Sequence, residues 1–251
     1  SDTSGWSEEV RLIAKVGDSG THWMLGAFYR EVRRSSVLQE GHTPLRIDKL
    51  DQWAIFGQLH WPMLESMSLN MGIRYSEQSS ASIAQINATT LGNLSSVEEV
   101  FRNVSPRLGL EWQFSDNTLI YSSITKGFRA GGVNTDFSLG QDPAYVRSFE
   151  SDLVWNYELG IKKSFWNERI SFNAAFFYID WTDVQIDKPI ADNVTSTDSV
   201  LDKFISVNGD KAHSRGIETE IQISTENGWK FSLGASVINA EYDGGEIYAP
   251  Y

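Results

Sequence analysis

The sequence predicts an all-β protein, an antiparallel up-and-down meander of about ten strands that forms part of a transmembrane β-barrel. Segments of alternating apolar and polar residues come in pairs, with a few polar residues inside a pair and roughly a dozen or more between pairs. The segments run to eleven residues or longer, whereas strands of soluble proteins have about 5–6. Tight turns at one end and long loops at the other are typical of transmembrane barrels.

Five short connections define the predicted hairpins. Glycine, asparagine, aspartate and proline favour such turns because they tolerate positive φ, fix φ or form local side-chain hydrogen bonds. The turns are Gly17–Gly20, Pro62–Leu64, Ser115–Asn117, Trp166–Glu168 and Thr225–Gly228. The paired segments are, in order, 6–16 with 21–33, 49–61 with 65–77, 102–114 with 118–129, 149–165 with 169–186, and 203–224 with 229–241.

Longer connections join one hairpin to the next. They are rich in serine, threonine, aspartate, asparagine and glycine, as exposed loops are. Their predicted ranges are 34–48, 78–101, 130–148 and 187–202. No linker composition, strict repeat or helical period interrupts the pattern, so residues 1–251 are expected to form one barrel domain.

Alternation gives each predicted strand one apolar and one polar face. In 53–61, for example, Trp53, Ile55, Leu59 and Trp61 share a face. In a barrel this face contacts lipid and the opposite face lines the lumen, whereas in a soluble β-sandwich the polar face meets water. Strand length, close to the about 9–11 residues of a membrane span, and tryptophans at both ends of the stripe favour the barrel.

Composition excludes several function classes. The net charge of −12, from 21 basic and 33 acidic residues, argues against a nucleic-acid partner, which needs a basic face. Cysteine is absent, which excludes disulfides, thiolate metal sites and cysteine nucleophiles. No apolar run approaches the about 18 residues of a transmembrane helix. The nine tryptophans suit the aromatic girdles of a membrane barrel.

No residue pattern predicts catalysis or metal binding. Nucleophile-elbow, phosphate-loop and zinc-helix motifs are missing from the sequence. The histidines are scattered, at positions 22, 42, 60 and 213. We therefore expect no enzyme activity, no catalytic residues, no cofactor and no metal site.

Six short motifs occur in order between residues 105 and 218. They are SPRLGLEW at 105–112, YSSITKGFRAGGVN at 121–134, YELGIK at 157–162, FYIDW at 177–181, VNGDKA at 207–212 and RGIE at 215–218. Together they resemble the barrel of TonB-dependent outer-membrane receptors of Gram-negative bacteria. The resemblance covers essentially the whole chain, and its strength lies in the order of the motifs.

The resemblance implies a barrel of about 22 strands around a plug domain, with uptake of ferric siderophores, cobalamin, haem or carbohydrates driven by TonB. Residues 1–251 are then expected to be a partial barrel domain, with the plug and the C-terminal strands absent; closure of the ten strands as a smaller barrel is the alternative. The expected location is the outer membrane, and the expected partners are lipid, TonB (through the absent N-terminal region) and a ferric siderophore or another small nutrient. A passive porin or adhesin barrel and a soluble β-sandwich binding module remain alternatives.

Candidate ligand contacts lie around the third long connection. Arg129, Tyr145 and Arg147 suit an anionic catechol or hydroxamate iron complex, because arginine supplies a charged fork and tyrosine a stacking face. Tethering of the loop, or contact with a plug, is the alternative role for these side chains.

Conspicuous glycines are expected to have structural roles. Gly127, Gly131 and Gly132 lie where a strand should leave the sheet, and glycine tolerates positive φ and strong bending there. Gly160 and Gly216 lie on polar faces, where the resemblance implies that a missing side chain leaves room for the plug.

Overall fold

The computed structural model describes residues 2–17, 19–37, 45–85, 94–134, 146–190 and 203–244. The strands found there are, in chain order, β1 (Asp2–Val16), β2 (Thr21–Val37), β3 (Leu45–Leu64), β4 (Met67–Gln85), β5 (Leu94–Ser115), β6 (Thr118–Arg129), β7 (Gly132–Val133), β8 (Ser148–Phe149), β9 (Asp152–Phe165), β10 (Ile170–Thr182), β11 (Gln185–Ile190), β12 (Lys203–Asn208), β13 (Ala212–Ser224) and β14 (Lys230–Tyr242).

Ten of these strands form a single antiparallel sheet. Their order is β1-β2-β3-β4-β5-β6-β9-β10-β13-β14, so every long strand pairs with the next one along the chain. This confirms the predicted all-β up-and-down meander. No helix in the described ranges is long and apolar enough to cross a membrane.

The hairpin turns lie close to their predicted positions. Gly17 and Gly20 have φ of 58° and 75° in the β1–β2 turn, and Gly228 has φ of 83° in the β13–β14 turn. The predicted turn at Pro62–Leu64 is wrong by a few residues, because β3 continues to Leu64 and turns at 65–66. Pro62 lies at a register shift, where a residue without an N–H is tolerated.

Two predicted loops contain long extensions of the strands. The 34–48 connection is shorter than expected because β2 runs to Val37 and β3 begins at Leu45. The 78–101 connection is shorter because β4 runs to Gln85 and β5 begins at Leu94. The 22 residues of β5 exceed the about 9–11 that a membrane span requires. These strands therefore continue beyond the membrane-spanning part of the sheet.

Three predicted strands are each divided in two. The segment expected at 149–165 separates into β8 and β9, the one at 169–186 into β10 and β11, and the one at 203–224 into β12 and β13. Asp183, with φ of 57°, marks the break after β10. The detached pieces pair with one another as two ribbons, β7–β8 and β11–β12.

The apolar face of the sheet is exposed. Val10, Leu25, Leu233 and Val237 are 72%, 55%, 69% and 79% exposed, and no second sheet packs over them in the described part of the chain. Soluble monomeric proteins rarely expose a continuous apolar surface of this extent to water. The β-sandwich alternative is therefore wrong, and the exposed face suits contact with acyl chains.

Aromatic pairs follow the end of the apolar face away from the hairpin turns. Ring centroids are 5.0 Å apart for Trp6–Tyr29 and 5.4 Å for Trp53–Tyr75. Near the turns, Trp61 is exposed on the same face. The aromatic residues at the two ends of the apolar face correspond to the aromatic girdles expected at the two membrane interfaces.

Glycines on the polar face make room for aromatic rings. A Cβ at Gly160 would overlap the ring of Tyr121, and one at Gly216 would lie 2.8 Å from the ring of Phe177. Each ring belongs to the residue directly across the strand pair. The space left by these glycines is thus filled within the sheet, and clearance for a plug stays a prediction.

Candidate ligand-binding and transport surface

A hydrogen-bonded cluster joins four strands on the polar face near the hairpin turns. The imidazoles of His22 and His60 stack with centroids 4.7 Å apart. A ring nitrogen of His60 lies 2.8 Å from Asn70 Oδ1, and Asn70 Nδ2 donates to Glu111 Oε1 at 3.1 Å. Strand pairing thus brings together two histidines that the sequence leaves 38 positions apart. Groups of three or more side chains able to hold a metal do not occur among the described residues.

A positively charged patch lies further along the same face. The guanidinium of Arg74 is 5.4 Å from the ring centroids of both Phe28 and Phe56. Arg107 helps to line the same groove, which has a volume of about 720 Å³ and also contains Arg11, Glu9 and Glu111, so arginines outnumber carboxylates there. Cation–π contacts hold an arginine in place while its edge stays available for hydrogen bonds. This part of the wall suits anionic groups.

On the same polar face, the region formed by the later strands of the sheet carries acidic side chains. A groove of about 460 Å³ is lined by Tyr121, Glu218 and Glu220. The Tyr121 hydroxyl donates to Glu158 Oε1 at 2.6 Å. The polar face therefore combines a basic region on β4 and β5 with an acidic region on β9 and β13.

Arg129 lies at the end of β6 in a dense set of contacts. Its Nε donates to Asp152 Oδ2 at 3.0 Å, and its backbone N–H to Oδ1 at 3.2 Å. Its guanidinium also donates to the Gln185 carbonyl at 3.3 Å and lies 5.6 Å from the Trp181 ring centroid. Asp152 is 1% exposed, so Arg129 compensates a buried charge. These contacts tether the strand end, and a ligand contact of Arg129 stays a prediction.

The other two predicted ligand-binding residues are Arg147 and Tyr145. Arg147 is exposed next to β8, and its carbonyl accepts a hydrogen bond from Asn134 N–H at 2.8 Å. Tyr145 lies outside the described residues. The structure thus brings Arg129 and Arg147 to the same end of the sheet without placing them in contact.

The glycines beside Arg129 have a different role from the one predicted. Gly127, Gly131 and Gly132 do not have positive φ, and Gly127 has open space where a Cβ would lie. A Cβ at Gly131 would overlap the Phe101 ring, and one at Gly132 would lie 2.6 Å from the Phe149 ring. Close packing explains these two glycines, because the Phe149 carbonyl oxygen and the Phe101 ring leave no room for a side chain at Gly131, and the Phe149 ring leaves none at Gly132.

Sequence reasoning missed the polar residues that organise this end of the sheet. Asp152, Asn134, Gln185 and Asn208 each bond to segments distant in the chain. Asn134 and Asn208 belong to the motifs at 121–134 and 207–212, so the sequence motifs could have singled them out as candidates. Their partners could not be inferred, because Asn134 bonds to a residue 72 positions away.

Two charged groups beyond the aromatic girdle have shifted pKa values. A hydrogen bond to Asp51, 2.7 Å away, raises the pKa of Lys49. A hydrogen bond from Asn239, with the nearby His213, lowers the pKa of Glu241. Lys49 and Glu241 are therefore firmly charged at neutral pH, as suits strand segments in water.

Comparison with known proteins gives a consistent picture. The family model described as TonB dependent receptor-like, beta-barrel, matches residues 2–249. The ferric yersiniabactin uptake receptor FyuA from Yersinia pestis is similar with a TM-score of 0.74 and 18% identity, over 95% of this chain and 35% of that one. The siderophore receptor PiuA from Acinetobacter baumannii has a TM-score of 0.72 and 11% identity, over 96% of this chain and 39% of that one.

A third similar structure is the alcaligin outer membrane receptor FauA from Bordetella pertussis, with a TM-score of 0.64 and 15% identity, over 98% of this chain and 40% of that one. The chain thus spans less than half the length of these proteins. At these identities the structural likeness establishes the fold, and the family match extends over nearly every residue. The chain belongs to the TonB-dependent receptor-like β-barrel family and lies in the outer membrane of a Gram-negative bacterium.

Proposed function

We propose that the protein is an outer-membrane receptor that takes up a scarce nutrient with energy delivered through TonB, and that its substrate is a ferric siderophore. The observation that carries this proposal is one sheet with an exposed apolar face and a polar face rich in charged and aromatic side chains. Such a sheet can enclose a wet lumen inside a membrane. The family match and three similar structures named as receptors for siderophores, ferric yersiniabactin or alcaligin support it.

The proposed route runs along the polar face. A ferric complex is captured at the end of the sheet that carries Arg129 and Arg147, and it then passes the basic region around Arg74 and Arg107. Arginine forks suit the carboxylate, catecholate or hydroxamate oxygens of such complexes. The chain forms no covalent bond to the substrate in this route, so no enzymatic step is part of the proposal.

The described sheet is proposed to be part of a larger barrel. β1 and β14 each pair on one side only within the described residues. Unpaired strand edges invite further pairing, and a lumen requires a closed wall. We therefore propose that further strands complete the wall, and that a plug domain which contacts TonB occupies the lumen.

Uptake measurements test the proposal. Cells that lack the receptor gene are compared with complemented cells, using radiolabelled ferric complexes of a catecholate, a hydroxamate and a phenolate siderophore. We expect receptor-dependent uptake of at least one complex, abolished when TonB is removed. Receptor-dependent entry that survives loss of TonB would favour a passive porin, and entry of none of the ferric complexes would reject the substrate class.

A further inference from the structure

The ribbon β7–β8 lies over the polar face of the sheet, and the ribbon β11–β12 packs against it through β12 and β8. β7 lies against β4 and β5 although it follows β6 in the chain. Asn103, on the polar face of β5, donates from Nδ2 to Ser151 Oγ at 3.2 Å. Phe101, also on that face, is 6% exposed and packs against Gly131. We call the two ribbons together the rim shelf, because they cover the wall at the end opposite the hairpin turns.

Two asparagine side chains join the ribbons in a reciprocal manner. Asn134, after β7, donates from Nδ2 to the Ser206 carbonyl at 2.7 Å and accepts from the Ser206 N–H at 2.9 Å. Asn208, at the end of β12, donates to the Glu150 carbonyl at 2.9 Å and accepts from the Glu150 N–H at 2.6 Å. Each side-chain amide both donates to and accepts from the backbone of one residue, as a neighbouring strand would. The first ribbon thus binds the second through Asn134, and the second binds the segment that follows the first through Asn208.

The shelf is also attached to the sheet below it. Gln185, at the start of β11, donates from Nε2 to the carbonyls of Ala130 at 3.0 Å and Glu150 at 3.1 Å. Its own N–H lies 3.4 Å from Asp152 Oδ2, the carboxylate that also binds Arg129. One buried carboxylate thus anchors both the end of β6 and the start of the second ribbon.

The shelf has a small core of its own. Four apolar side chains are buried among the described residues, and three of them, Phe101, Val184 and Ile205, lie in or under the shelf. Asn134 is 7% exposed. Moving the shelf away from the wall would expose Phe101 and separate the Asn103 amide, which is 7% exposed, from Ser151 Oγ. Both changes are costly.

We propose that the rim shelf is a fixed part of the entrance to the lumen and does not swing open during uptake. Asp152, Asn134 and Asn208 are its positioning residues. Asp152 ties the second ribbon to the end of β6, and Asn134 and Asn208 hold the two ribbons together, so that Arg147 stays at a set distance from the wall. This inference rests on the proposed uptake function. The shelf thereby sets the width of the passage on this side of the lumen.

Reversible cross-linking tests whether the shelf moves. In the full-length receptor, Asn103→Cys and Ser151→Cys are introduced together and bridged with a short bis-methanethiosulfonate reagent. The 251 residues contain no cysteine of their own, and single-cysteine variants treated alike serve as controls. Uptake of the radiolabelled ferric complexes is expected to stay within about twofold of the reduced protein. Loss of uptake on bridging, with recovery on reduction, would overturn the proposal.

A substitution tests the positioning role. Asn208→Ala is compared with Asp187→Asn, an exposed β11 residue whose carboxylate accepts from Ser206 Oγ at 2.7 Å without joining the ribbons. For Asn208→Ala we expect faster hydrogen exchange at 146–151 and 203–208. We also expect an about tenfold higher half-saturating concentration of the ferric complex, with the maximal rate and barrel assembly unchanged.

The controls separate the two proposals. Asp187→Asn is expected to leave both readouts unchanged. Unaltered exchange and affinity in Asn208→Ala would overturn the positioning role. If the wild-type receptor takes up none of the complexes, the proposed function fails. Slow hydrogen exchange at 131–134 and 203–208, together with efficient cross-linking, would still support a fixed shelf. Fast exchange at these amides would reject the fixed shelf.

Discussion

Replacing Leu25 by arginine places a guanidinium in the middle of the apolar face. Leu25 is 55% exposed and pairs with Gly57, which lies midway between Trp53 and Trp61 on β3. If these tryptophans mark the two membrane interfaces, Leu25 lies near the bilayer midplane. Leu25→Arg therefore tests directly which face of the sheet meets lipid.

The expected cost follows from this depth. Arginine on the lipid face of a barrel costs about 2–4 kcal/mol at the midplane and about 0–1 near the interfaces. We expect a loss of about 3 kcal/mol in the unfolding free energy, roughly a hundredfold in the folding equilibrium. Gln58→Arg is the matched control, because Gln58 follows Gly57 and is exposed on the polar face. Its effect should stay within about 0.5 kcal/mol.

Urea titration of the receptor folded in thin phosphatidylcholine vesicles measures both values. Tryptophan fluorescence follows unfolding, and heat-modifiable migration on gels confirms that each variant inserts. The reasoning is refuted if Leu25→Arg is neutral. It is refuted equally if Gln58→Arg is the costly substitution, since the lumen would then lie on the other face.

Three further predictions concern single sites. Gly160→Ala should lower the unfolding free energy by about 1–3 kcal/mol, because the added methyl group overlaps the Tyr121 ring. In a Tyr121→Ser background the same substitution should barely change the urea midpoint, and equal losses in both backgrounds would contradict the overlap. Glu168 has φ of 66°, so Glu168→Gly should raise the unfolding free energy by about 1 kcal/mol, and an unchanged midpoint would speak against backbone strain. Arg147→Ala should raise the half-saturating concentration of the ferric complex about tenfold with assembly intact, and unchanged affinity would remove Arg147 from the contacts.

The sheet could be predicted because its signals are local. Alternation with period two assigns the side chains of each strand to a face, and turn residues lie at the points of reversal. Both signals are read within about ten residues, as for Trp53, Ile55 and Leu59 on β3. The strand extensions at 78–85 and 94–101 escaped prediction because apolar and polar residues are mixed on both of their faces, so no clean alternation marks them, and the pairing between β4 and β5 makes them strands.

The candidate site depended on contacts between distant segments. Arg129 was expected near a loop, but its partner Asp152 is 23 residues away. The two meet because the register of β6 and β9 sets them opposite each other. The two stacked histidines are explained in the same way, by the register of β2 and β3.

The sequence by itself determined the all-β class, the hairpin order and the separation into an apolar and a polar face, because each follows from neighbouring residues and the geometry of a single strand. Only the tertiary structure decided that residues 130–134 turn over the polar face and that Asn134 and Asn208 join two ribbons. Those contacts depend on strand register and on backbone groups left unpaired elsewhere, which no local pattern encodes.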